Sequence, residues 1–212
     1  MTDYVRAVAE IIRAAKETRK SLHGFSCKAP TPCSGVLYSC QKTEKLGAFV
    51  LQDLKNRVIS GEIRLGEALG RALPNVHGKV ADDRILWMVN EMNGYPNALD
   101  WYQRPTDDFP PYRVVSGQLK SVDPQGNLGD VKHPLASKGR YFLAAPISWL
   151  EDAFQMEGAQ ALVEMQELSA HFARATGGGG VVCVCSKDEV NRILASFKQN
   201  FVALINEVSS KS

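Results

Sequence analysis

Between Glu44 and Met92 the apolar residues recur at helical spacing in three consecutive runs joined by short connections, and this limits the fold more than any other feature. The first run, from about Glu44 to Ile59, places Leu46, Phe49, Val50, Leu54 and Val58 on one stripe. After a break at Gly61, "IRLGEALGRAL" sets Leu65, Leu69, Ala72 and Leu73 at helical spacing, with Pro74 expected to stop it. The third run starts at Asp82 and Asp83, whose charges suit the positive end of a helix, and carries Ile85, Met88, Val89 and Met92. Asn93-Gly94 should end it: glycine takes positive φ at no steric cost, and Pro96 keeps the helix from resuming. Three such helices must pack on one another to bury their stripes.

The stretch after Pro110 changes period. Tyr112, Val114, Ser116 and Gln118 alternate with Arg113, Val115, Gly117 and Leu119, as in a strand, and "DPQG" from Asp123 has the chemistry to reverse it. "PISWLEDAF" then has the form of a capping box, Ser148 toward the amide of Glu151 and Glu151 reaching back, with Leu162, Met165, Leu168 and Phe172 continuing a helical stripe to about Arg174. The tetraglycine Gly177 to Gly180 precedes a short β-branched run. "SKDE", Ser186 to Glu189, opens a last amphipathic helix with Val190, Ile193, Leu194, Phe197, Phe201, Leu204 and Ile205, suited to a core or to a homo-oligomer face. The expectation is an α+β, mostly helical protein: a helical bundle packed on a small β-hairpin or sheet.

Three segments are expected. Residues 1–42 hold a helix from about Asp3 to Leu22, ended by Gly24, and a Pro/Ser/Cys connector from Phe25 to Gln41; 43–175 form the core; 176–212 hold the glycine linker, a short strand and the final helix. The first helix sets Val5, Val8, Ile12 and Ala15 on one face and carries Arg6, Arg13, Lys16, Arg19 and Lys20, so nucleic acid is one partner to weigh. A formal charge of +2 on 212 residues does not by itself argue for nucleic acid or a membrane surface. "MTDYVRAVAEII" lacks the pattern of a secretory signal and no run has the length of a spanning helix, which makes the cytoplasm the expected location and a membrane an unexpected partner.

The five cysteines, Cys27, Cys33 and Cys40 in the connector and Cys183 and Cys185 in an apolar run, lack paired C-x-x-C spacing. Buried or incidental thiols are expected rather than a zinc site built with His23, so no metal and no cofactor is assigned. "TPCSGVLYS" resembles the nucleophile segment of NlpC/P60 cysteine hydrolases, which would make Cys33 a nucleophile needing an imidazole from His77, His133 or His171. None of these stands in a family-like context, and a non-enzymatic protein is expected. The tetraglycine precedes its strand, opposite to a phosphate-binding loop, and reads as a linker. Asp100, Asp107 and Asp108 lie among Trp101, Tyr102, Phe109 and Tyr112 in what reads as a wet acidic loop; the rings suit either an interaction surface or an anchor on the core.

The order of the segments carries a resemblance. Leu51 and Leu54; Trp87, Glu91, Asn93, Gly94 and Tyr95; Pro110, Tyr112 and Arg113; and Ile147, Ser148, Leu150 and Glu151 follow one another as L-x-x-L, W-x-x-x-E-x-N-G-Y, P-x-Y-R and I-S-x-L-E segments. From Phe49 to Phe154 the chain resembles the AbiTii family of bacterial abortive-infection proteins. The resemblance implies a role in defence against phage as a regulatory or interaction module with a protein partner from a defence locus, and brings no catalytic site. It also suggests that its residues touch: Tyr95 over the strand start and Arg113 paired with Glu91 or another carboxylate, at a partly exposed site where such a pair contributes about 1 kcal/mol or less.

Overall fold

A computed structural model describes residues 36–103, 109–123, 125–172 and 180–210, with side chains from 49 onward. Two compact units, 1–42 and 43–212, divide the chain, and the second contains every described strand. The helix expected over Asp3 to Leu22, together with His23, Cys27 and Cys33, lies outside the described residues. Seven α-helices and a five-stranded antiparallel sheet make the described part an α+β, mostly helical fold.

Helices α1 (Val36–Ser60), α2 (Leu65–Val76) and α3 (Asp82–Asn93) fall on the three periodic runs. α1 starts inside the expected connector, at Val36, and buries Leu51, Leu54 and Val58. Pro74 does not stop α2, which runs on to Val76 because Val76 extends the buried stripe of Leu65, Ala68, Leu69 and Ala72. So near the helix end the proline forgoes only one ladder bond, to the carbonyl of Gly70. The acidic loop contains a short helix, α4 (Ala98–Gln103), held by burial of Ala98 and Tyr102 and by the amide of Leu99 donating to Glu167.

Tyr112 and Arg113 belong to a 3-10 turn, Pro111–Arg113, rather than to the strand, and β1 (Val114–Val122) begins after it. The hairpin to β2 (Leu128–Asp130) turns where expected, its Asp123 accepting from the amides of Gln125 and Asn127. Hydrogen bonds from Asn127 hold the exposed Asp123 carboxyl below its ordinary range. A second 3-10 turn, Pro134–Ser137, leads to β3 (Arg140–Phe142), which pairs with the other end of β1.

α5 (Ile147–Gln155) is shorter than the predicted helix. Leu162 lies in a strand, β4 (Gln160–Glu164), where Ala161 and Val163 point inward and Leu162 outward; only Gln166–Phe172 returns to helix, as α6. Period two over five residues was hidden inside a longer apolar run. β5 (Gly180–Ser186) lies between β1 and β4, antiparallel to both. The expected core and final segment fall in one compact unit, 43–212.

The sheet has two unlike faces. Val115, Leu119, Val181, Cys183, Cys185, Ala161 and Val163 are buried, while Ser116, Gln118 and Leu162 are exposed on the opposite side. α7 (Lys187–Ser210) packs on β5, β1 and β4 as well as on α5 and α2, so Val190, Ile193, Phe197, Phe201, Leu204, Ile205 and Val208 all enter the core. Its apolar face is largely buried within the chain. The amide of Glu189 donates to Ser186 Oγ, as the second capping box requires, and Glu189 itself turns to Arg192. Among the described residues no helix is long and apolar enough to cross a membrane.

Candidate functional site

Trp87, Glu91, Tyr95, Tyr112 and Arg113, five of the residues singled out by the ordered motifs, meet across separate elements. The Glu91 and Arg113 side chains are 0% exposed, and they are the two fully buried charged residues described. Glu91 lies on the same side of α3 as Met88, one helical turn on, so the helix carries its carboxylate into the core along with the apolar stripe. Arg113, at the end of the 3-10 turn, donates from Nη2 to Glu91 Oε2 at 2.5 Å and from Nε to Oε1 at 3.1 Å. This is the bidentate geometry that favours arginine over lysine.

Further hydrogen bonds surround the pair. Arg113 Nη1 donates to the carbonyls of Leu143 (2.9 Å) and Ala145 (2.5 Å), which lie between β3 and α5. Glu91 Oε1 accepts the hydroxyls of Tyr95 and Tyr112, both at 2.6 Å, and Tyr112 in turn accepts from Trp87 Nε1 at 2.8 Å. The guanidinium lies 5.0 Å above the centroid of the Tyr95 ring. Burial, with the adjacent Glu91 carboxylate, pushes the Tyr95 and Tyr112 phenols well up from their ordinary range. Burial opposes the Arg113 charge, but Glu91 outweighs it and raises the guanidinium pKa.

Local structure aims these groups. Gly94 ends α3 with φ +92°, its amide donating to Asn90 O, and the amide of Tyr95 donates to Ala144 O at 2.8 Å. A Cβ on Gly94 would stand 2.9 Å from that Ala144 oxygen, so glycine is required for contact as well as for φ. Tyr95 is thereby turned back beneath its own helix, edge-on to Phe142 at 5.4 Å. Asn93, by contrast, is exposed at the helix end and does not join the cluster.

The expected pairing of Arg113 with Glu91 and the packing of Tyr95 near the strand start are both present. The expected partial exposure is not: the pair is wholly buried, which changes its energetics from those of a surface pair to those of a desolvated one. Arg192 of α7 was not legible in the sequence; it donates to the carbonyls of Tyr112 and Val114 and fixes the turn from outside. Phe197 also joins from α7, stacking on Trp87 at 5.5 Å. The carbonyls of Leu143, Ala144 and Ala145 carry no sequence signal at all.

The remaining candidates separate. Trp101, Tyr102 and Phe109 turn onto the core around Phe142 and Tyr141, so Trp101 and Tyr102 anchor α4, and Phe109 packs on the same rings. Asp100 is exposed, and Asp107 and Asp108 lie outside the described residues. His133 and His171 approach with ring centroids 6.2 Å apart, both exposed. Cys183 and Cys185 are buried free thiols; hydrogen bonding with Cys185, then burial, pushes the Cys183 thiol up. Among the described residues no cluster of His, Cys, Asp or Glu has the makings of a metal site.

The hydrogen bonds of this cluster tie α3, the 3-10 turn and the passage after β3 together. A scan against family models matched none, and searches of curated proteins and of solved structures found no match.

Proposed function

We propose that the chain is a non-enzymatic module of bacterial anti-phage defence, of the abortive-infection kind, acting in the cytoplasm through a protein partner. The observation that carries this reading is the contact of the second and third ordered motif segments beside the start of the last. Trp87, Glu91 and Tyr95 of the second meet Tyr112 and Arg113 of the third, and Arg113 also holds the carbonyl of Ala145, two residues before Ile147 opens the last. The contacts support reading these segments together as one structural unit, and the defence role rests on the resemblance of their order to the abortive-infection family. Because Glu91 is occupied by Tyr95, Tyr112 and Arg113 together, the motif supports the fold and leaves function to the surface it presents.

The test is phage plating efficiency on cells expressing the full chain alone and on cells expressing it with its genomic neighbours. Protection that requires a neighbour is expected of a partner-binding module. Protection by the chain alone that disappears in Cys33→Ala would replace this reading with the hydrolase, and no protection in either setting would remove the defence role.

A further inference from the structure

The two edges of the sheet are built differently. On one side, β2 is three residues long, Asp130 pairs with Lys120, and the Pro134 turn interrupts the edge before β3. Short strands, charge and proline are the usual means of preventing strand addition. The opposite edge, β4, is longer and carries no proline, its one charge being Glu164 at the end: its five residues are Gln160, Ala161, Leu162, Val163 and Glu164, and its sole described sheet neighbour is β5.

The hydrogen-bond phase of β4 shows which groups face that edge. The amide of Lys187 donates to Ala159 O and that of Met165 to Val181 O, so the odd-numbered residues of this strand bond to β5. In an antiparallel ladder the alternate residues then direct N–H and C=O the other way. These are Gln160, Leu162 and Glu164, whose side chains lie on the exposed face; Leu162 is 38% exposed. In the chain just before them, Met156 is 55% exposed.

We propose that β4 is a homotypic docking edge, pairing antiparallel with β4 of a second copy of this chain about a two-fold axis at Leu162. The strand is self-complementary in that register. Leu162 meets Leu162 of the second copy, and Gln160 meets Glu164 of the second copy on each side, a side-chain amide donor against a carboxylate acceptor. All three pairs are of the hydrogen-bonded kind, so every outward backbone group of Gln160, Leu162 and Glu164 gains a partner. On the exposed face, Val184 lies beside Leu162 in the β4–β5 register, so an aliphatic row runs unbroken across the junction. The sheets of the two copies become one. This contact is independent of the defence reading.

Light scattering of the full chain after gel filtration tests it, with Leu162→Lys and Leu162→Pro as variants. Lysine puts two like charges on the axis; proline removes the outward N–H of residue 162 without touching a bond to β5, a position where edge strands accept proline. The wild type is expected at twice the chain mass of 23.3 kDa at micromolar to submillimolar concentration, and both variants at the single mass with an unchanged circular dichroism spectrum. A monomeric wild type across that range, or a dimer that survives Leu162→Lys, overturns the proposal. Should Leu162→Pro disturb folding, the lysine variant decides alone.

Discussion

Tyr95 and Tyr112 donate hydrogen bonds to the same oxygen of one buried carboxylate, and this makes their neutral form part of the fold. A phenol whose pKa is raised on folding contributes stability that is complete below its unfolded value, near 10, and is lost as pH rises above it. Tyr102, buried with its hydroxyl on Phe142 O, behaves in the same way. For Tyr95 and Tyr102 the loss is about 1.4 kcal/mol per pH unit each above pH 10. Absorbance at 295 nm should therefore show these tyrosines ionising only together with unfolding, and Tyr95→Phe should lower stability at pH 7 by about 1.5–3 kcal/mol, the range for a hydrogen bond to a charged group. A smooth titration of all tyrosines near pH 10 in the folded protein would contradict the geometry.

At the scale of elements, the sequence was legible where one period ran long enough to stand out. α3 and α7 were readable from their apolar stripes, and the end of α3 from Gly94; the fold class followed from helices outnumbering strands. β4 was not readable, because five alternating residues beside a helical run give too few points to fix a period. Glu151 shows a subtler failure. The capping box placed it on the start of its own helix, yet α5 has no side-chain cap, and the Glu151 carboxylate accepts the amides of Leu65 (2.7 Å) and Gly66 (3.1 Å) at the start of α2. A local motif thus marked the right residue for a contact that only tertiary packing reveals. Gly66 permits it by close approach: a Cβ there would lie 3.0 Å from Ser148 Cβ. Glu151→Ala should cost about 0.5–2 kcal/mol through loss of this cap. Gly94→Ala should cost about 1–3 kcal/mol from positive φ, with the clash at Ala144 O added. Urea denaturation of the two variants checks both, and a Gly94→Ala protein as stable as the parent would mean that α3 ends differently.

For the whole molecule, the buried pair decides how helices and sheet are joined. Glu91 comes from α3, Arg113 from the turn before the central β1, and the Leu143 and Ala145 carbonyls from the passage between β3 and α5, so one guanidinium ties three parts of the chain. The sequence pointed to these residues through their grouping and even to the pairing itself, but not to its burial, because depth depends on how α7 closes over the turn through Arg192 and Phe197. Burial also determines what the pair does. In water it would add little; desolvated, it need not stabilise more than an apolar replacement would, but either charge left alone is costly, so the pair enforces one arrangement of its neighbours. The motif residues act through folding on this account. The most direct test is a double-mutant cycle by urea denaturation with Arg113→Ala, Glu91→Ala and both together. Each single change is predicted to cost about 3–5 kcal/mol, with the double well below their sum, because the second change removes the charge that the first left unpaired. An Arg113→Ala protein within about 1 kcal/mol of the parent would return the pair to the energetics of an exposed one and contradict the account.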